Sequence, residues 1–492
     1  MHTADLRVRT ENGMVEIAGP MPESHLSNVD LAPTRLEQRT WNLWHIASLW
    51  VGMSVCIPTY MLAANMIGAG MNWWQGLLTI LLGNAVVLLP MLLNAHAGTK
   101  YGIPFPVYAR ASFGVRGAHI PALLRALVAC GWFGIQTWIG GMALHAIISI
   151  LWRDWQTFLG AGTFMGFTLA HYVSFFLFWL INMYFVWAGT ESIKWLETLS
   201  APFLIVMGLL LLAWAAAKVG GLGTILQKSH DLIQSREQKP FTEFFLSVFV
   251  PWLTAMVGFW ATLALNIPDF TRYARSQRDQ MLGQSLGLLT TMPLFAFIGI
   301  VVTSATVILY GEAIWDPVKL LARLTEEYQS PVLGILVMIA LSVATLTTNI
   351  AANIVSPANS LSNLMPQKIS FRMGGFIAGV LGILILPWKL LDQYQLWLIS
   401  YSGLLGAVGG IVVCDYLVVR RCELNLPGLY QEHRDYAYQS GVNRNAIYAL
   451  LAGVAAALTG KLHPSLEFLF NGAWFSASAA SFVVYYVLMQ RR

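Results

Sequence analysis

The stretch "HIASLWVGMSVCIPTYMLAANM" (residues 45–66) is apolar enough to cross a bilayer, yet it carries Gly52 and Pro58 near its middle. A membrane-spanning helix needs about 20 consecutive, mostly apolar residues. Proline removes a backbone donor and clashes with the preceding turn. Backbone left unpaired at membrane depth is tolerated only where it is packed in protein or lines a water-filled cavity. The stretch therefore reads as a broken span beside an internal site.

The rest of the chain has the matching character. Of 492 residues, 57% are hydrophobic and only 11% charged, where a soluble domain carries roughly 25% charged residues. This is the composition of an all-α integral membrane protein. Twelve stretches are candidate transmembrane helices, near 42–66, 73–94, 119–151, 164–189, 195–217, 244–266, 281–310, 331–355, 373–390, 394–419, 445–461 and 469–489. The ninth and eleventh are the weakest. Residues 1–41 are polar and carry no signal-peptide pattern, so the first span serves as its own insertion signal. Cys56, Cys130, Cys414 and Cys422 lie far apart and fit neither a disulfide framework nor a metal-ligand spacing.

Basic residues favour the cytoplasmic side of a membrane. With the N-terminus placed inside, 19 lysines and arginines flank the inner ends and nine the outer ends, with Arg125 inside the third span. Both termini are thus expected in the cytoplasm of a multi-pass protein of the cell membrane, inner or plasma. The net charge of +5 needs no nucleic acid to account for it.

A second interruption is expected in the sixth span, "VPWLTAMVGFWATLALNIPDF", where Gly258 is central and Pro268 closes the helix. Spans one and six run in opposite directions, and such a pair suggests two inverted repeats of five helices around a site at mid-membrane. The organisation that follows is a cytoplasmic segment 1–41, a first repeat 42–219, an extracellular loop 220–243, a second repeat 244–419, a cytoplasmic loop 420–444, and two further spans with the C-terminus in 445–492.

The eighth span closes on "ATLTTNIAANIVSP" (344–357), with three threonines and two asparagines. At 100° per residue, Ala344, Thr347 and Thr348 fall on one side, and Asn349 and Asn353 on roughly the opposite one. Hydroxyl and carbonyl oxygens are hard ligands suited to a small hard cation. An asparagine amide offers both donor and acceptor, as a cyclic amide or ureide requires. Threonine and asparagine also bond across helix interfaces, but five such groups on two faces favour a site.

In the third span, "ACGWFGIQTWIGG" sets Trp132 and Gln136 four apart on one face. An indole plane with a primary amide beside it suits a planar heterocycle. Trp260, beside Gly258, offers a second stacking plane. His45, His145 and His171 have no partner at metal-binding spacing, and neither a catalytic triad nor a phosphate loop is present. Residues 313–328 read as an amphipathic surface helix, and "DFTRYARSQRDQ" as a basic cytoplasmic loop. A membrane enzyme would need His, Asp or Glu clustered at membrane depth. A channel would lack gradient-driven accumulation.

"HAGTKYGIPFPVYARASFGVRGAHIPALLRAL", "WFGIQTW", "NIPDFTRYA", "NIAANIVSPA" and "CDYLVVRR" together resemble the nucleobase–cation symporter family 1, and within it the bacterial hydantoin and allantoin permeases. The resemblance runs from about Arg39 to the last span. It implies twelve helices, a LeuT-like core of 5+5 inverted repeats with discontinuous helices 1 and 6, and alternating access. It also implies that Trp132 and Trp260 sandwich the ligand ring, while Gln136 and Asn353 bond its edge. The carbonyls of Gly52, Val55 and Ala344 and the hydroxyls of Thr347 and Thr348 would hold the cation. Cys56 stands where relatives carry a polar amide, and Phe259 where a smaller residue is common; both are expected at the substrate. The expected function is sodium-coupled import of a small cyclic amide such as a hydantoin or allantoin, without enzyme chemistry or cofactor. A proton-coupled uracil or cytosine permease is the alternative.

Overall fold

The computed structural model describes residues 7–19, 25–158, 160–188, 190–234, 240–432 and 435–490. A short hairpin, β1 (Val8–Glu11) and β2 (Met14–Ile17), precedes the first span. Buried Arg39 fastens this segment to the bundle by donating to the carbonyls of Val15, Thr34 and Thr99.

The first span is broken where the sequence expects it. Helix α1 (Leu43–Ser54) is capped by the Asn42 side chain, which accepts from the Trp44 and His45 N–H groups. Non-helical backbone at Val55 and Cys56, the latter extended, separates it from α2 (Ile57–Gly68), and the two axes differ by 58°. Pro58 stands at the second position of α2, where a missing N–H leaves no bond unmade.

Helices α3 (Trp73–Tyr101), α4 (Phe105–Phe113), α5 (His119–Leu151), α6 (Leu169–Ala188) and α7 (Thr190–Val219) complete the first half. The stretch 220–243, expected as a loop, contains helix α8 (Leu222–Gln234). The second half comprises α9 (Val250–Asn266), α10 (Gln277–Tyr310), α11 (Pro317–Glu327), α12 (Pro331–Asn353), α13 (Val355–Ser362), α14 (Phe371–Leu384) and α15 (Tyr394–Val413). Two last spans, α16 (Arg444–Thr459) and α17 (Ala473–Gln490), pack on α15. Helix α11 is the expected amphipathic helix, with Asp316 as its N-cap.

Among the described residues, nine helices are long and apolar enough to cross a membrane, and the bent α1–α2 pair makes a tenth. The shorter apolar helices α14 and α16 stand at the ninth and eleventh expected spans, consistent with twelve. Contacts repeat at an offset of five spans. The first span packs on the seventh as the sixth packs on the second, and the fourth packs on the third as the ninth packs on α13, which continues the eighth. That is the pairing of two inverted five-helix repeats, a relation that residue identities alone do not reveal.

The sixth span departs from expectation. It is helical throughout Phe241–Asn266, with one wide turn at Phe245–Phe249, and it is not interrupted at Gly258. It ends at Ile267, and the single turn Pro268–Thr271 follows. Gly258 serves packing instead: a Cβ there would lie 2.7 Å from the Leu398 carbonyl oxygen of α15. Small residues let membrane helices approach this closely. Gly258→Ala is therefore expected to destabilise the protein by about 1–3 kcal/mol, read as a lower unfolding temperature in detergent; an unchanged temperature would show that α9 and α15 can move apart freely.

Candidate functional site

The break in the first span releases backbone oxygens. In an unbroken helix the Cys56 N–H would donate to Gly52, four residues back; here it turns to the Ser54 carbonyl at 3.1 Å. The Thr59 N–H, which would take the Val55 carbonyl, goes to Cys56 at 3.1 Å. Gly52 and Val55 thus present carbonyls freed from the helical ladder. Cys56 is buried, and its thiol lies 3.3 Å from the Thr59 hydroxyl.

Helix α12 faces this break, with Val55 and Ala344 in one buried apolar cluster. Thr347 and Thr348 both donate to the Ala344 carbonyl, at 2.8 and 3.1 Å. This is the back-bonding common for threonine in helices. It uses the hydroxyl hydrogens and leaves the oxygen lone pairs available, while the Ala344 oxygen is itself committed. Of the three α12 positions expected around a cation, the two hydroxyls are free to ligate as they stand. Ala344 would first have to give up a hydroxyl.

The opposite face of α12 is tied to α5 and α6. The Asn349 amide donates to Phe133 O (3.2 Å), Thr137 Oγ1 (3.0 Å) and Asn182 Oδ1 (3.1 Å), and its own oxygen accepts from Asn353 at 3.0 Å. Asn349 therefore acts by fixing Asn353 and the spacing of three helices. Gln136, buried on α5, has an unpaired Oε1 among the described residues.

Trp132 does not meet Trp260. Its ring contacts Phe259 edge-on (5.1 Å between centroids), Trp397 (4.9 Å) and Tyr394 (6.0 Å), and its N–H donates to the Tyr401 hydroxyl at 3.1 Å. Trp260 points to the other side of α9, against Trp50 at 5.1 Å, with its N–H on Asn84 Oδ1 (3.0 Å) and close to the Met292 sulfur. Adjacent residues on a helix face about 100° apart, so Phe259 and Trp260 cannot both face Trp132. In this conformation Phe259 occupies the place expected for the second stacking plane.

Tyr394, Trp397 and Tyr401 were not assigned from sequence. Their spacing of three and four residues puts them on one face of a helix, which was the available signal. Tyr394 also lines a cavity of about 580 Å³ shared with Asn65, Trp252, Trp315 and Asp392, and its hydroxyl reaches the Pro58 carbonyl at 3.3 Å. It thus separates that cavity from Trp132. The opposite end is sealed: Asn266 and Asp269 both bond the Ser356 hydroxyl, at 2.7 and 2.8 Å, and Asp269 accepts from the Phe105 N–H at 2.7 Å.

His145 and His171, unpaired by spacing, stack across α5 and α6 with centroids 4.0 Å apart. Among the described residues, no three His, Cys, Asp or Glu side chains could hold a metal together. The cysteines are free.

The chain matches known proteins along nearly its whole length. Residues 33–477 match the family described as permease for cytosine/purines, uracil, thiamine, allantoin. The chain is 43% identical to the purine-uracil permease NCS1 of Arabidopsis thaliana, over 95% of this chain and 78% of that protein. It is 40% identical to the allantoin permease of Bacillus subtilis, over 95% and 94%. Its fold is similar to the inward-facing structure of Mhp1, with a TM-score of 0.79 and 26% identity over 96% and 95% of the two chains. Mhp1 with bromovinylhydantoin bound, in a closed conformation, gives 0.76 at 27% identity over 95% and 96%.

Cutting the Asn349 network is expected to loosen α12 from α5 and α6. Asn349→Leu should lose about 1–2 kcal/mol of stability and unfold at a lower temperature in detergent. A neutral result would mean that the four bonds are replaced without cost.

Proposed function

The chain belongs to the nucleobase–cation symporter family 1, and on that premise we propose that it imports a small cyclic amide or ureide together with a cation, by alternating access. It is a multi-pass membrane permease, not an enzyme; the ring, the ion and the orientation are the proposed part. The carrying observation is that α12 is two-faced. One side carries the Thr347 and Thr348 oxygens on a helix that packs against both arms of the broken first span, and the other holds Asn353 through Asn349.

All the candidate ion ligands are neutral oxygens, a hard set that fits sodium. With no carboxylate among them, nothing in the set would carry a proton. Substrate would enter from the cavity above Tyr394 and lie against Trp132, with Gln136 and Asn353 at its amide edge. Trp260 would have to turn from Asn84 to complete a stack, and Phe259 would limit the room for substituents. Sodium bound between α1 and α12 would favour the state with that cavity open, and by linkage the ring would bind more tightly when the ion is present. With the N-terminus inside, the cavity faces outward and the sealed end faces the cytoplasm, in the cell membrane.

A nucleobase is the second reading, favoured by the 43% identity to a purine-uracil permease. Uptake of labelled benzylhydantoin, allantoin and uracil into proteoliposomes, with and without an inward sodium gradient, separates the readings. Sodium-driven accumulation of one ring is expected, falling at least tenfold in Thr348→Ala. Accumulation that ignores sodium and the substitution but follows a pH gradient would remove the cation site and favour proton coupling.

A further inference from the structure

Arg125 has no role in the site described above. It is wholly buried on α5, and none of its guanidinium nitrogens has a hydrogen-bond partner among the described residues. The carboxylate whose charge acts on it is that of Asp269, whose oxygens are already engaged by the Phe105 N–H and the Ser356 hydroxyl. The fold satisfies its other buried arginines better: Arg110 donates to Leu26 O, Leu429 O and Asn363 Oδ1. An unpaired buried guanidinium is strongly unfavourable, so its retention points to a partner met in another state.

Its place on the helix says which state. Trp132 and Gln136 follow Arg125 by seven and eleven residues, which returns them to within about 20° of its direction. Arg125 therefore lies about 10 Å along the helix from Trp132, toward the end closed by Asn266, Asp269 and Ser356. A ring leaving Trp132 through that end would pass it. Gln136 also keeps an unpaired oxygen, so one face of α5 carries an amide, an indole plane and a donor fork in line.

We propose that Arg125 forms a second, exit-side binding site for the transported ring, engaged when the sealed end opens. A guanidinium has five N–H donors and no acceptor. The site therefore takes a ring carbonyl oxygen, and discriminates against rings that present an amino group in its place. This inference rests on reading the Trp132–Gln136 face as the transport site.

The test uses the full-length protein in proteoliposomes: wild type, Arg125→Met and Arg125→Lys. Benzylhydantoin, allantoin, uracil and cytosine serve as probes, in chloride and in gluconate. Binding from the Tyr394 side is read by tryptophan fluorescence, transport by exchange of labelled ring, and stability by unfolding temperature. Arg125→Met is expected to unfold at a higher temperature, because an idle buried charge is gone. It should bind the dioxo rings within twofold of wild type yet exchange them at least tenfold more slowly, with Arg125→Lys in between. The wild-type preference for uracil over cytosine in exchange should shrink in Arg125→Met. Exchange at the wild-type rate in Arg125→Met overturns the exit site alone. So does a joint fall in stability and binding in Arg125→Met, which would make Arg125 framework, or a chloride requirement confined to wild type, which would make a free anion its partner. Failure of the wild type to accumulate any ring overturns the transport reading and the exit site together.

Discussion

The structure depends on backbone groups that a membrane does not allow to go unpaired. At Val55 and Cys56 the first span gives up its helical ladder, and in hydrocarbon each lost bond is costly. That cost is tolerable only if other polar groups meet the freed carbonyls. Helix α12 packs against both arms of the break, but its Thr347 and Thr348 hydroxyls donate to the Ala344 carbonyl, so the proposed partner of the freed carbonyls is a cation shared with the threonine lone pairs. The other face of α12 carries asparagines that need partners of their own. Asn349 finds these by bonding α5 and α6.

The two aromatic groups around this polar seam are arranged as a state, not as a finished pocket. Trp132 sits under Tyr394, below the open cavity, with Phe259 and Trp397 against it. Trp260 is turned away onto Trp50 and Asn84. The Asn266–Ser356–Asp269 bonds close the far end. One end carries a cavity and the other is bonded shut, which is the arrangement the proposed alternating-access cycle requires of one of its states. Gln136 Oε1 and the Arg125 guanidinium are among the buried polar groups left without partners among the described residues.

Much of this was legible in the sequence. Composition and span length gave the membrane class, and Pro58 located the break to within a turn. Helical periodicity alone separated the faces of α12. Gly258 misled because glycine has two uses at membrane depth, loosening a helix or admitting a neighbour, and only the position of Leu398 in α15 decides between them. Trp260 was placed by resemblance, but which way a side chain faces depends on rotation about its helix and on conformational state, and neither is written in one-dimensional spacing. The contact between His145 and His171 was invisible because they lie on separate helices. The aromatic face of α15 was readable from its three- and four-residue spacing and went unassigned because nothing in the sequence says what it faces.

The most direct measurement is the affinity of the purified protein for uracil, allantoin and benzylhydantoin by tryptophan fluorescence, titrated in sodium and in choline at constant ionic strength. Thr347 and Thr348 on one face of α12 and Asn353 on the other imply tighter binding of one ring in sodium, and tighter sodium binding in that ring by the same factor, because coupling between two sites is reciprocal. Ring affinity that is equal in sodium and choline would contradict the central claim that α12 couples an ion to a ring.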